Sequence, residues 1–307
     1  MQNFKIRGAG QCQRGMRLVL RILITLATTT ALAPRPSTRR GGKVVAQASK
    51  PELGFSFTPG GLLFPYYIGL AYELQRNGVI TTTSPLAGSS AGSIVAGALA
   101  CGVPEDEVIE ALRRLADEYR EGGSLNLALR KQLARMLPDD AAERVTASRS
   151  LTICYQQILP WPKACLVESY KDKQDLIDVI CASCCWPWFL SRWWPCVWVR
   201  GGLGLDGWFA VPRAQFGAPD LDGEAERTLR LTALPRVSVS PGSGGLIQPG
   251  QPVADAPGAP TYELPMSDSN WFNWALRAAP EATLDEMREC GRRHAQMWLR
   301  QHAEQKV

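Results

Sequence analysis

Histidine is nearly missing from this chain: 307 residues hold only His294 and His302, both close to the C-terminal end. A hydrolase that depends on a histidine base has little to draw on here. Acidic residues are missing from the start, where none precedes Glu52. Long apolar runs are missing too. The stretch over residues 18–33 is interrupted by Arg21 and is too short for a good membrane span. No internal repeat is visible, so a repeat architecture is excluded. The cysteines number nine, and an odd count does not describe a closed disulfide framework. Cys181, Cys184, Cys185 and Cys196 lie close together, but no second separated pair or nearby histidine completes a zinc set. They read as buried structural thiols among tryptophans, and no metal is expected.

What the leader does hold is ten of the 34 Lys and Arg, among many Ser, Thr and Ala. The remaining 24 face all 29 acids, which leaves about −5 beyond residue 51. The overall charge of +5 therefore gives no reason to expect nucleic acid. A basic, acid-free, hydroxylated leader over residues 1–51 reads as a transit peptide directing the protein to a chloroplast. The run ending Ala31-Leu32-Ala33 also reads as a secretory signal with its cleavage site, the alternative destination. The rest suits one domain over residues 52–265 with a helical extension over 266–307. Ser267-Asp268-Ser269 caps that terminal region, and Gly/Pro/Asp-rich loops are expected at 217–226 and 242–260.

The chemistry is concentrated at Gly88-Ser89-Ser90-Ala91-Gly92. Gly-x-Ser-x-Gly fits a nucleophile elbow, which sets Ser90 on a sharp strand-to-helix turn where Gly88 and Gly92 permit close approach. An extended segment over 78–87 and a helix over 91–100 supply the required context. Alone, the pentapeptide also fits a Gly/Ser-rich turn. Upstream, an apolar run leads to Gly60-Gly61, followed by helical periodicity over 63–76. Unobstructed backbone N–H groups at Gly60 and Gly61 could stabilise an oxyanion, whereas Pro59 has none to offer.

Ser90, Asp206 and His294 occur in the order of an α/β-hydrolase triad. Only residues 52–88 precede the elbow, room for about one βαβ unit where that fold requires several. His294 also lies in an amphipathic helix, read here as opening with a capping box at Thr283 and Glu286. That makes it a surface or helix-face residue. The nucleophile needs another base.

Strand, Gly-Gly, helix, strand, elbow and helix in one block resemble the patatin-like phospholipase family, in particular its branch containing adipose triglyceride lipase. The resemblance extends through Leu137-Pro138-Asp139-Asp140-Ala141 with Leu151-Thr152-Ile153, and through Ser169-Tyr170-Lys171-Asp172-Lys173-Gln174-Asp175-Leu176-Ile177 with Cys181-Ala182-Ser183-Cys184-Cys185-Trp186-Pro187. It then takes in Gly204-Leu205-Asp206-Gly207 and a strand expected over 231–239. It covers about residues 53–241 and implies a plant or algal source. The implied fold is a three-layer α/β sandwich, a mostly parallel central sheet with helices on both faces. The implied chemistry is acyl ester hydrolysis through an acyl-enzyme, with Ser90 as nucleophile and Asp206, in an Asp-Gly motif with Gly207, as base. Gly60, Gly61 and the N–H of Ala91 form the implied oxyanion hole, and no cofactor is implied. Trp208 stands where the family has a small residue and Pro59 where glycine is common. A catalytically inactive lipid-binding relative is the competing reading.

Six of ten tryptophans, at 186, 188, 193, 194, 198 and 208, flank Asp206. Indoles favour the membrane–water boundary. Trp188, Trp193 and Trp194 are therefore expected to contact lipid at a membrane or lipid-droplet surface, as in a peripheral protein.

Overall fold

The computed structural model describes residues 50–148, 150–190, 194–254 and 256–304. The leader expectation falls outside them except at its last two residues, and so does the lipid contact expected of Trp193.

An eight-stranded mixed sheet is built from β1 (Leu53–Phe57), β2 (Leu86–Gly88), β3 (Leu151–Leu159), β4 (Lys163–Val167), β5 (Val197–Val199), β6 (Gly202–Leu205), β7 (Arg227–Leu231) and β8 (Gly245–Ile247). The order β8-β7-β1-β2-β3 is parallel throughout, whereas β4 and β6 pair antiparallel with β3, and β5 with β6. Helices pack around this sheet: α1 (Phe64–Arg76), α2 (Ala91–Ala100), α3 (Glu105–Arg120), α4 (Leu125–Met136), α5 (Ala141–Ser148), α6 (Lys173–Ser183), α7 (Asp268–Trp274) and α8 (Glu281–Glu304). The α/β class implied by the resemblance is the one observed. Strand β1 is buried at all five positions, as expected of a parallel strand covered on both faces. Helix α2 consists of small and apolar residues and is buried on almost every side.

The register of β3 decides where the site falls. Ile153 pairs with Gly88 of β2 and Val167 of β4, so β2 and β4 flank opposite edges. Gln156 likewise pairs with Ala164 of β4 and Leu205 of β6. Strands β2 and β6 therefore share one edge of β3 and run toward each other. They stop at Gly88 and Leu205, with Ser89-Ser90 and Asp206-Gly207 facing across the gap.

Three local expectations are corrected. Of the extended segment over 78–87, only β2 is strand. Gly78 has φ +71 and the Ser84 hydroxyl accepts from Thr81 N at 3.0 Å, which turns the chain before Pro85. The strand expected over 231–239 instead spans Arg227–Leu231, and the residues after it carry Pro235 and a left-handed Arg236 (φ +56). The 242–260 loop includes the short strand β8.

Helix α8 begins at Glu281, so Thr283 lies inside it and forms no capping box. Ser267 does cap α7, accepting from Asn270 N at 3.3 Å. The expected extension over 266–307 supplies part of the main core, since Trp271, Met287, Cys290 and Ala295 are fully buried. Helices α1 and α8 cross at glycine. A Cβ on Gly69 would lie 1.8 Å from the Arg288 carbonyl oxygen, and one on Gly291 2.0 Å from that of Tyr66. Backbone cannot yield at such distances. Gly69→Ala should therefore destabilise the protein by about 2–3 kcal/mol, seen as a lower thermal midpoint. An unchanged midpoint would show that this crossing tolerates separation.

Candidate active site

Ser90 sits between β2 and α2 with φ +54 and ψ −128, a region that a side chain adopts only under constraint. The constraint is visible on each side. Ser90 N donates to the Ser183 hydroxyl at the end of α6 at 2.9 Å, and the Ser93 hydroxyl donates to Ser90 O at 2.7 Å. A Cβ on Gly88 would lie 2.5 Å from the backbone of Gly92, and one on Gly92 2.6 Å from Phe57 O. The two motif glycines let strand and helix touch. Ser90 is 8% exposed.

Asp206 follows β6 and is 1% exposed. Its backbone N–H donates to Cys185 O at 2.9 Å. Its Oδ1 accepts from the Trp208 N–H at 2.9 Å, while buried Oδ2 has no hydrogen-bond partner. Burial pushes the carboxyl up to about 7, opposed by the Trp208 N–H and by the adjacent Ser90 hydroxyl. A carboxylate poised near neutrality beside a strained serine can accept its proton. Gly207 is required by contact: a Cβ there would lie 2.3 Å from Cys154 O and 2.4 Å from Ser89 Oγ.

The glycine loop follows β1. Gly61 has φ +57, and a Cβ there would lie 2.2 Å from Ala275 O after α7. The same carbonyl accepts from Leu62 N at 2.9 Å. Beneath the loop, the Tyr67 hydroxyl donates to Thr58 O at 2.9 Å and accepts from Ala233 N at 3.0 Å. Among the described residues, none accepts a hydrogen bond from the N–H of Gly60, Gly61 or Ala91.

Four further residues at this site were not singled out in the sequence. Ser183 anchors the elbow. Ser89 donates its hydroxyl to Gly217 O, and a Cβ on Gly217 would strike Pro59 at 2.5 Å. Gly217 thus joins the elbow to the glycine loop. Its segment is held by buried Arg230, which donates to Ala218 O at 3.1 Å and Ser240 O at 2.7 Å and pairs with Asp220. The only sequence signals were a glycine in a loop and a second Arg in the strand Arg227–Leu231.

Trp208 does not stand free. Its ring is 5.7 Å from Trp186, 5.0 Å from Phe209 and 6.3 Å from Phe216, forming an aromatic wall beside Asp206. Trp188 and Trp194 are exposed. Cys181, Cys184 and Cys185 are buried, and burial pushes the Cys181 thiol up to about 12. Among the described residues, no three His, Cys, Asp or Glu side chains gather as a metal set.

His294 is not a surface residue. It is 1% exposed on the inner side of α8, with Nδ1 3.0 Å from the Tyr66 hydroxyl and Nε2 2.9 Å from Glu263 O. Both ring nitrogens are engaged, with Tyr66 and Glu263 rather than with Ser90 or Asp206. Burial lowers its pKa to about 4, keeping the ring neutral.

The patatin-like phospholipase family model matches residues 56–216, just over half of the chain, and includes the glycine loop, the elbow and the Asp-Gly turn. The chain belongs to this family, whose members are lipid acyl hydrolases. No curated protein sequence matches it. Among solved structures, VipD from Legionella pneumophila is similar over 69% of this chain and 56% of its own, at 13% identity and a TM-score of 0.38. The chain thus spans little more than half the length of that protein. No helix of the described residues is long and apolar enough to cross a membrane.

His294→Ala should remove a core hydrogen-bond partner and lower stability by about 1–3 kcal/mol near pH 7. Esterase activity per folded molecule should stay within a few-fold. Because its folded pKa lies below the unfolded value, the stability contributed by neutral His294 is present above about pH 6.5 and is lost as pH falls toward 4. Thermal melts of both forms across that range test this, and equal acid sensitivity would refute it.

Proposed function

We propose that Ser90 and Asp206 form a catalytic dyad that cleaves acyl esters of membrane or storage lipids. One observation carries the reading: buried Asp206 has Oδ1 fixed by Trp208 N–H and Oδ2 unpartnered beside the strained Ser90. Ser90 Oγ attacks the acyl carbonyl as Oδ2 takes its proton. Gly60, Gly61 and Ala91 N–H groups hold the oxyanion. Collapse of the tetrahedral species breaks the ester bond, and the proton passes from Asp206 to the departing alcohol. Water then gives its proton to Asp206 as its oxygen attacks the acyl-enzyme, releasing the fatty acid and restoring Ser90. Within the family, the motif order favours the branch resembling adipose triglyceride lipase and a plant or algal source. Trp188, Trp193 and Trp194 lie in sequence beside the site, consistent with contact to the lipid surface that presents the substrate.

A fluorophosphonate probe should label the wild type and not Ser90→Ala. Ser90→Ala and Asp206→Asn should each lower kcat by about a thousandfold or more. For the wild type, kcat/KM should rise about tenfold per pH unit below 7 and level off above it, as Asp206 ionises. Its folded pKa lies above the unfolded value, so the ionised buried carboxylate costs stability as pH rises through this window. Asp206→Asn should consequently melt no lower than wild type at pH 8. An unlabelled wild-type protein would support the inactive lipid-binding reading.

The leader composition supports import into a plastid. A fluorescent reporter carrying residues 1–51 should enter chloroplasts in plant cells, and its secretion would support cleavage after Ala33 instead.

A further inference from the structure

Strand β3 does not stop at the site. Ile153 is level with Gly88 at the end of β2, and β3 continues six residues to Leu159, about 20 Å farther. The chain then turns through Trp161, whose carbonyl accepts from the Gln157 side chain at 3.0 Å. The antiparallel end of the sheet thus overhangs the edge at which Ser90 is presented.

The overhang is apolar on its outer face. Leu159 stands opposite Leu203, and Leu203 opposite Trp198. Directly opposed residues share a face, and neighbours along a strand alternate. A Cβ on Gly204 would lie 3.1 Å from Ala182 Cβ, so the Gly204 face is covered by α6 and the Leu203 row points the other way. Trp198 is 66% exposed and Trp161 77%; Leu159 is exposed as well, and so is Leu166 on β4, opposite Cys154. Hydrophobic side chains this open, gathered on the strands that overhang a substrate site, indicate a docking surface.

We propose that Leu159, Trp161, Leu166 and Trp198 seat the protein on the interface of a lipid bilayer. The inference rests on the reading that Ser90 acts on lipid acyl esters, since it joins the apolar row to the edge where that site lies. Charge supports the same occupant. Residues 151–167 and 179–205 contain no Asp or Glu, although the chain beyond residue 51 is acidic overall, and exposed Lys163 stands at the tip. An acid-free aromatic edge meets phosphate headgroups without repulsion, while its indoles bury their rings and keep their N–H groups hydrated. Of these four, only Trp198 belonged to the tryptophan cluster that the sequence pointed toward lipid.

The test is sedimentation of the full chain with phosphatidylcholine vesicles, together with hydrolysis of a soluble short-chain ester. The double substitution Trp161→Ser with Trp198→Ser should lower vesicle affinity on the order of a hundredfold in low or high salt. Activity on the soluble ester should be unchanged, which also shows that the variant folds. Leu127→Ser, on an exposed site of α4, should alter neither. Undiminished vesicle binding by the double variant would overturn the proposal, even with esterase activity intact. So would a wild-type dimer that the substitutions split, because the face would then join two copies. Loss of esterase activity is a separate failure, belonging to the dyad and read from Ser90→Ala.

Discussion

Two strands running toward each other along one edge of β3 create the site. Neither β2 nor β6 can continue, because each occupies the hydrogen-bonding positions that the other would need. Their ends are therefore held a few residues apart by the same strand. Whatever follows Gly88 and Leu205 must meet in that gap, and the residues that follow include Ser90 and Asp206. Because both are referred to the backbone of β3, their mutual position does not depend on flexible loops. Rigid elements position reacting groups more reliably than loops do.

The crowding around the gap follows from that geometry. Gly88, Gly92 and Gly207 each leave too little room for a Cβ, and Ser90 alone in the elbow must carry a side chain at positive φ. The strain is sustained by the hydrogen bond Ser90 N–H donates to Ser183, the one it accepts at its carbonyl from Ser93, and the packed α2. The same packing removes water from Asp206. Burial raises its pKa, leaving a carboxylate that is costly to ionise but basic enough to accept a proton from serine. Close packing and basicity are thus two consequences of one arrangement, and a site opened to solvent would lose both.

Much of this was readable because the decisive residues obey local rules. Gly-x-Ser-x-Gly, Gly60-Gly61 and Asp206-Gly207 each need a particular backbone shape, and local shape is written in short stretches. Helix α2 and strand β1 were legible from composition for the same reason. What escaped notice depends on contacts between distant segments. Gly217 matters because Pro59 and Ser89 lie against it, and Arg230 because it holds the segment that follows. Neither fact has a local sign. His294 shows the opposite error: its helical position was apparent, but the partner that buries it, α1, lies more than two hundred residues away. The strand expected at 231–239 was displaced because Leu231 is the end of that strand rather than its beginning.

The C-terminal helices connect this core to the glycine loop proposed to hold the oxyanion. Ala275 O accepts from Leu62 N and closes over Gly61, while Trp271 donates its indole N–H to Ala233 O at 2.7 Å. Ala233 N in turn donates to Tyr67, whose hydroxyl reaches Thr58 before the loop. Donors that stabilise an oxyanion contribute most when fixed before charge appears. Here the fixing groups come from β7's end, α1 and the segment after α7. The terminal region therefore belongs to the machinery that holds Gly60 and Gly61 in place, although it lies outside residues 56–216 matched by the family.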